Sequence, residues 1–402
     1  MRDSMFSSVE LAPRDPILGM TEAFNADTRP AKINLGVGVY CDENGKIPLL
    51  AAVRQAERAR LESAPTRGYL PIEGIAGYNA AVQKLLFRED SPVIAEGRVA
   101  TFECLGGTGA LKVGADFLKR LNPEATVWIS DPSWENHRAL FEAAGFKVQS
   151  YPYYDAATHG LNFEAMLARL GAIASGSIVV LHACCHNPTG VDLNPQQWAQ
   201  VVELLQRRGL VPFLDCAYQG FGDGIDADAA AVRMFADSGA SFFVASSFSK
   251  SFSLYGERVG ALSIVTGSRE ETTRVISQVK RVVRTNYSNP PTHGAAVVTA
   301  ILTNPELRAE WERELTGMRE RIRAMREGLV ARLAERGVAR DFSFVTAQRG
   351  MFSYSGLSAA QVDRLREEFA IYAISTGRIC IAALNARNID YVADSIAKVL
   401  EG

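Results

Sequence analysis

Nowhere do the 402 residues contain an uninterrupted apolar run of about eighteen, the length that a membrane-crossing helix requires. Cysteine is scarce as well. There are six, with only Cys184 and Cys185 adjacent, which does not resemble a disulfide framework. An excess of one charge is also missing: 43 basic against 45 acidic residues leave a formal net charge of −2, spread along the chain. That balance argues against a nucleic-acid groove or a membrane-binding face, so an anionic ligand must be met by a few placed cations. Low-complexity tracts, long Gly/Ser linkers and internal repeats are absent. The opening MRDSMFSSVELAPRDP has no apolar stretch behind its arginine, so no secretory signal is expected and the reducing cytosol is the expected compartment.

What is present suits a globular protein. The chain is 47% hydrophobic and 22% charged, enough for a substantial core, and its length favours two lobes over one. Short β-branched or aromatic runs recur at Thr126–Ser130, Lys147–Tyr151, Ser177–Leu181, Leu210–Leu214 and Ser241–Ala245. Amphipathic helical stretches lie between most of them, at Glu135–Ala144, Asn162–Leu170 and Pro195–Arg208. This alternation predicts an α/β fold with a mostly parallel sheet covered on both faces.

After Asn304 the texture changes to a long Glu/Arg/Leu/Ala-rich helix. Pro305 suits its first turn, Gly337 its stop, and Trp311, Leu315, Met318 and Ile322 share one face. We read it as a spine bridging the two lobes. Beyond it, strands are expected at Phe342–Val345, Phe352–Ser353 and Arg378–Ala382, around a helix at Ala359–Phe369.

In a parallel sheet, ligands bind beyond the carboxyl ends of the strands. The clusters that follow the apolar runs are therefore the informative ones: GGTGAL (106–111), DPSW (131–134), HNPTG (186–190), DCAY (215–218) and SSFSK (246–250). Each alone is weak, and GGTGA could be an ordinary tight turn. Lys250 is one of nine lysines and the only one between Lys147 and Lys280, closing an apolar run where a solvated lysine is not expected. A partly desolvated amine can shed its proton and act as a nucleophile or Schiff-base partner. Ser247, Ser249 and Arg258, with the amides and hydroxyl of Gly107 and Thr108, could form a phosphate cup. A lysine imine and a phosphate are the two handles of pyridoxal phosphate. The Asp215 carboxylate could keep a pyridine nitrogen protonated, Tyr218 and Asn187 could hydrogen-bond the ring oxygen, and Trp134 could stack on the ring, although a core tryptophan and a turn asparagine are the plainer readings. Cys184, Cys185, His186 and His182 lack the spacing of a structural zinc site, and no metal is expected.

At these residues the chain resembles a family. SFSKSFSLYGERVG (247–260) is similar, position by position, to the cofactor-lysine signature of class I aminotransferases. NLGVGVY (34–40), GYLPIEG (68–74), SDPSWENH (130–137), CCHNPTG (184–190), NYSNPP (286–291) and RGMFSYSGL (349–357) look like its aspartate and aromatic branch. The resemblance implies a fold-type-I pyridoxal 5′-phosphate-dependent transferase. Its large domain, 46–317, would carry a mostly parallel seven-stranded sheet. Residues 1–45 and 318–402 would form a smaller α/β domain with an N-terminal arm. It further implies a homodimer with shared active sites.

Carried over by motif, Lys250 bears the cofactor and moves the proton between Cα and C4′, Asp215 pairs the pyridine nitrogen, and Tyr218 and Asn187 hold the ring oxygen. Trp134 stacks on the ring. Gly107, Thr108, Ser247, Ser249 and Arg258 hold the phosphate, with Tyr69 from the neighbouring subunit. Arg378 binds the substrate α-carboxylate with Asn187 and Gly38, and Arg284 of the neighbour meets a distal carboxylate. The expected reaction is transfer of the amino group of an L-amino acid to 2-oxoglutarate. Tyrosine-type features, Ile47 among them, favour aromatic amino acids with activity on aspartate retained. Thr108 and Asn289 fit the aspartate branch, so aspartate as principal substrate stays open. A different pyridoxal reaction on the same fold is disfavoured by the two arginine anchors, and a non-catalytic regulator by the complete set of catalytic positions.

Overall fold

The five apolar runs of the middle segment become five strands of one seven-stranded sheet in the computed structural model, which describes residues 4–12 and 16–401; Val99–Leu105 and Val259–Val265 add the other two. Residues 1–3, 13–15 and 402, which belong to the expected N-terminal arm and small domain, lie outside the described residues. The strands are β1 (Val99–Leu105), β2 (Thr126–Asp131), β3 (Lys147–Pro152), β4 (Ile178–His182), β5 (Val211–Cys216), β6 (Phe242–Ser247) and β7 (Val259–Val265), in the order β1-β7-β6-β5-β4-β2-β3. Every neighbouring pair is parallel except those of β7, which runs antiparallel to β1 and β6. The link 248–258 contains no helix, and without a crossover element β6 and β7 pair antiparallel.

All residues of β4, β6 and β7 are buried, as strands covered on both faces must be. The helices Glu135–Ala143, Phe163–Gly171 and Pro195–Arg208 form where their periodicity placed them. The last begins at a reciprocal cap in which Asn194 and Gln197 satisfy each other's backbone amides.

The long helix runs Pro305–Glu335. Asn304 Oδ1 accepts from the amides of Glu306 (2.9 Å) and Leu307 (3.1 Å), and Pro305 fills the first turn. Its buried stripe includes Trp311, Leu315, Met318, Ile322, Leu329 and Leu333, each such side chain contributing roughly 1.5–3 kcal/mol of burial. The helix packs against Ala51–Ser63 and Ile389–Leu400.

In the C-terminal part, Phe352–Tyr354 pairs antiparallel with Arg378–Cys380. Ile33–Asn34 pairs parallel with Ile371–Tyr372, so early and late chain meet. Two expectations are corrected here. Phe342–Val345 is not a strand: Asp341 Oδ1 accepts from the Ser343 amide (2.7 Å), turning the chain into the short helix Phe344–Ala347. The last strand stops at Cys380 and continues as a 3-10 turn, Ile381–Ala383.

Candidate active site

The carboxyl ends of β4, β5 and β6 open into a cavity, and the clusters singled out in the sequence converge on it. Gly38, Gly107, Thr108, Trp134, Asn187, Asp215, Tyr218, Ser247, Ser249, Lys250, Arg258 and Arg378 all line it.

Lys250 lies three residues beyond β6, its Nζ 4.9 Å from the centre of the Tyr218 ring. Burial lowers its amine from 10.5 to about 8; Asp215 opposes the shift and Arg258 adds to it. Asp215 is the penultimate residue of β5 and is 5% exposed. Burial works against its ionisation, but the hydrogen bond from His137 and the cation of Lys250 outweigh burial and hold the carboxyl below its ordinary value. His137 Nε2 sits 2.8 Å from Asp215 Oδ2, and His137 Nδ1 sits 2.9 Å from Ser133 Oγ. Behind them, burial and then His137 push His182 down to about 3, so that ring stays neutral. Burial raises the Tyr218 hydroxyl, which remains a donor.

An anion cup forms one end. Helix Gly106–Leu121 starts there, presenting its first amides and the Thr108 hydroxyl. Arg258 adopts φ +55°, a left-handed conformation that an L-residue keeps only under constraint, and its Nη1 donates to Tyr255 O (2.9 Å) and Ser249 Oγ (3.4 Å). Gly106, at φ +71°, lets the guanidinium approach: a Cβ there would lie 2.5 Å from Arg258 Nη2.

Arg378 forms the other end, on the strand Arg378–Cys380. Its Nη1 donates to Asn187 Oδ1 (3.1 Å), its Nη2 donates to Gly36 O (2.7 Å), and its guanidinium lies 4.4 Å from the centre of the Phe352 ring. Its buried Nε has no hydrogen-bond partner among the described residues. Trp134 is half-buried on the cavity wall, edge-on to His137, so it is not an ordinary core tryptophan.

Three expected residues stand elsewhere. Tyr69 is 95% exposed, Ile47 is 47% exposed, and the exposed Arg284 donates to Ser288 Oγ. None of them lines the cavity within one chain. Conversely, Leu111, His182, Ala217, Tyr255 and Phe352 line it without a role having been assigned to them from the sequence. His182 could have been found by the strand-end rule, since it closes β4. Cys184 and Cys185 are buried with their sulfurs near Asp228, whose carboxylate accepts from the amides of Gly220, Gly222 and Asp223.

This arrangement can hold a flat ring between an indole and a carboxylate, an anionic group in the cup, and a carboxylate at Arg378. A neutralisable amine stands at the centre.

Residues 30–396 match the family model described as aminotransferase class I and II. The chain is 69% identical over 397 residues to the aspartate aminotransferase of Pseudomonas aeruginosa, covering 99% of this chain and all of that protein. It is 53% identical over 398 residues to the aromatic-amino-acid aminotransferase of Escherichia coli, covering 98% and 100%. Among solved structures, the aromatic-amino-acid aminotransferase of Burkholderia pseudomallei, covalently bound to pyridoxal phosphate, superposes with a TM-score of 0.97 at 71% identity, covering 99% and 100%.

Proposed function

The chain belongs to the class I and II aminotransferases, and we propose that it moves the amino group of aromatic L-amino acids and of aspartate to 2-oxoglutarate, with pyridoxal 5′-phosphate on Lys250. The observation that carries this is an amine held at about 8 inside a cavity that also contains a carboxylate, an anion cup and an unsatisfied guanidinium nitrogen.

The residues fit the cofactor. Gly107 faces the cup without a side chain, and a Cβ there would meet Ser247 Cβ at 3.1 Å. Ser247, Ser249, Arg258, Gly107 and Thr108 would hold the phosphate, and Asp215 would hold the pyridine nitrogen with its proton. Asn187 and Tyr218 would face the ring oxygen, and Trp134 would face the ring. When bound, the cofactor supplies an electron sink for negative charge at the substrate Cα.

The chain's own residues do the rest. Arg378, steadied by Asn187 and Phe352, grips the substrate α-carboxylate and turns the Cα–H bond toward Lys250. Lys250 Nζ, unprotonated in a useful fraction near neutrality, takes and returns that proton. His137 keeps Asp215 ionised, and the Tyr218 hydroxyl donates.

Our reading also makes the protein a homodimer in which Tyr69 and Arg284 serve the neighbouring site, with a large lobe over 46–317 and a small lobe from 1–45 and 318–402. The exposure of Tyr69 and Arg284 on one chain supports this. A cytoplasmic location suits six free thiols. For substrate range, a mobile Arg284 would pair the distal carboxylate of aspartate and swing away from an aromatic ring.

Borohydride reduction of the cofactor-loaded protein followed by peptide mapping tests the core of this reading. The cofactor mass is expected on Lys250. Finding it on Lys280, or on no lysine, overturns the proposal. Bleaching of the yellow chromophore by both aspartate and phenylalanine tests the substrate range.

A further inference from the structure

A second cavity lies away from the first, between the long helix Pro305–Glu335 and the loop 346–350. Arg319, Arg323, Arg326 and Arg349 line it, and among the described residues Asp223 is the only acid that does. Arg349 Nε pairs with Asp223 Oδ2 at 2.7 Å, and Arg323 reaches the same carboxylate at 3.9 Å.

The other two arginines pair with no carboxylate among the described residues. Arg319 donates from Nη1 to Gly220 O (3.0 Å) and from Nη2 to Thr316 Oγ1 (3.3 Å). Arg326 is 3% exposed and donates only to carbonyls, those of Val345 (3.1 Å), Gly350 (2.7 Å) and Phe352 (2.5 Å). Burial lowers its guanidinium to about 10. Asp192, whose charge also acts on Arg326 and Arg349, is committed to the amides of Cys185 and His186. Four guanidinium groups thus share one lining carboxylate. A buried cation without a counter-charge is costly, and an anion of matching geometry would relieve it.

We propose that this cavity is an accessory binding site for a small multivalent oxyanion, a phosphate or a polycarboxylate. Planar guanidinium forks bind the oxygens of either in pairs, and more than one negative charge is needed to balance the excess. The site adjoins the catalytic cavity through the backbone. The Arg349 amide donates to Gly190 O (2.7 Å), in the loop that carries Asn187, and Arg326 grips the carbonyl of Phe352, whose ring underlies Arg378. An occupant would tie the 346–350 loop to the long helix and so raise the melting temperature.

The test is calorimetric titration of the holoenzyme, saturated in cofactor, with inorganic phosphate, pyrophosphate and citrate at ionic strength fixed with sodium chloride. One saturable site per chain is expected, with a matching rise in Tm. Affinity should fall at least tenfold in Arg319→Gln/Arg323→Gln. It should fall likewise in Thr346→Glu, where an exposed position gains a competing carboxylate at the cavity mouth. Preference for pyrophosphate over citrate identifies a phosphoryl ligand, and the reverse a carboxylate. Binding no stronger than that of chloride, or binding unchanged in both variants, overturns the proposal.

Discussion

Arg378 and Asn187 are joined at 3.1 Å, yet Arg378 Nε stays buried and unpaired. Asn187 thus fixes the guanidinium fork while leaving an edge for a ligand. A lysine would keep the charge but not the paired grip. Arg378→Lys is expected to lower kcat/KM for dicarboxylic and aromatic substrates alike, by about 2–5 kcal/mol, with cofactor content unchanged. Steady-state kinetics with aspartate and phenylalanine check this, and a loss confined to one class contradicts it.

The amine of Lys250 sets a pH dependence. Lowered to about 8, it should be mostly unprotonated by pH 9 in cofactor-free protein, whereas an ordinary lysine keeps titrating above pH 10. The rate of cofactor uptake should therefore rise through pH 7–9 and level off, as followed by absorbance. Between the folded value and the higher unfolded one the unfolded chain binds more protons, so this group's contribution to stability increases with pH over that window. Lys250→Ala should abolish both the pH-dependent uptake and turnover.

Gly106 and Arg258 make a third prediction. Gly106→Ala adds a methyl 2.5 Å from Arg258 Nη2 at a left-handed φ of +71°. Strain of about 1–3 kcal/mol at the anion cup should weaken cofactor retention roughly tenfold or more. Dialysis and measurement of the retained chromophore check this, and wild-type retention would remove Arg258 from the cup.

Much of this site was legible because β-sheet physics puts function at strand ends. Asp215, Ser247 and Lys250 follow apolar runs, and the alternating periodicities gave five of the strands of a mostly parallel sheet, its count of seven coming from the family resemblance. What stayed hidden came from residues whose importance depends on approach across the chain. His137 touches Asp215 from 78 positions away, and Phe352 meets Arg378 only through the pairing of two short strands. Phe342–Val345 misled because its composition suits a strand while the Asp341 side chain captures the backbone locally.

Arg284 carries the fourth prediction. Arg284→Leu should cut kcat/KM for aspartate and 2-oxoglutarate by about 2–5 kcal/mol while sparing phenylalanine and tyrosine. Equal loss for both classes would make Arg284 structural. Mixing Lys250→Ala with Arg284→Asp, after dissociation and reassociation, should restore dicarboxylate turnover, because one heterodimer site regains both native residues. Heterodimers that form without activity would count against shared sites.

The pairing of Ile33–Asn34 with Ile371–Tyr372 has a bearing on biosynthesis. All seven strands of the large sheet are complete once Val265 has left the ribosome, so that lobe can collapse during translation. Residues 33–34 must wait for a partner synthesised more than three hundred residues later. Until then the nascent chain carries a finished sheet and a dangling leading segment. A premature stop ahead of Ile371 would therefore leave a product that holds every strand of the large sheet and the residues of the anion cup, but neither the partner of residues 33–34 nor Arg378.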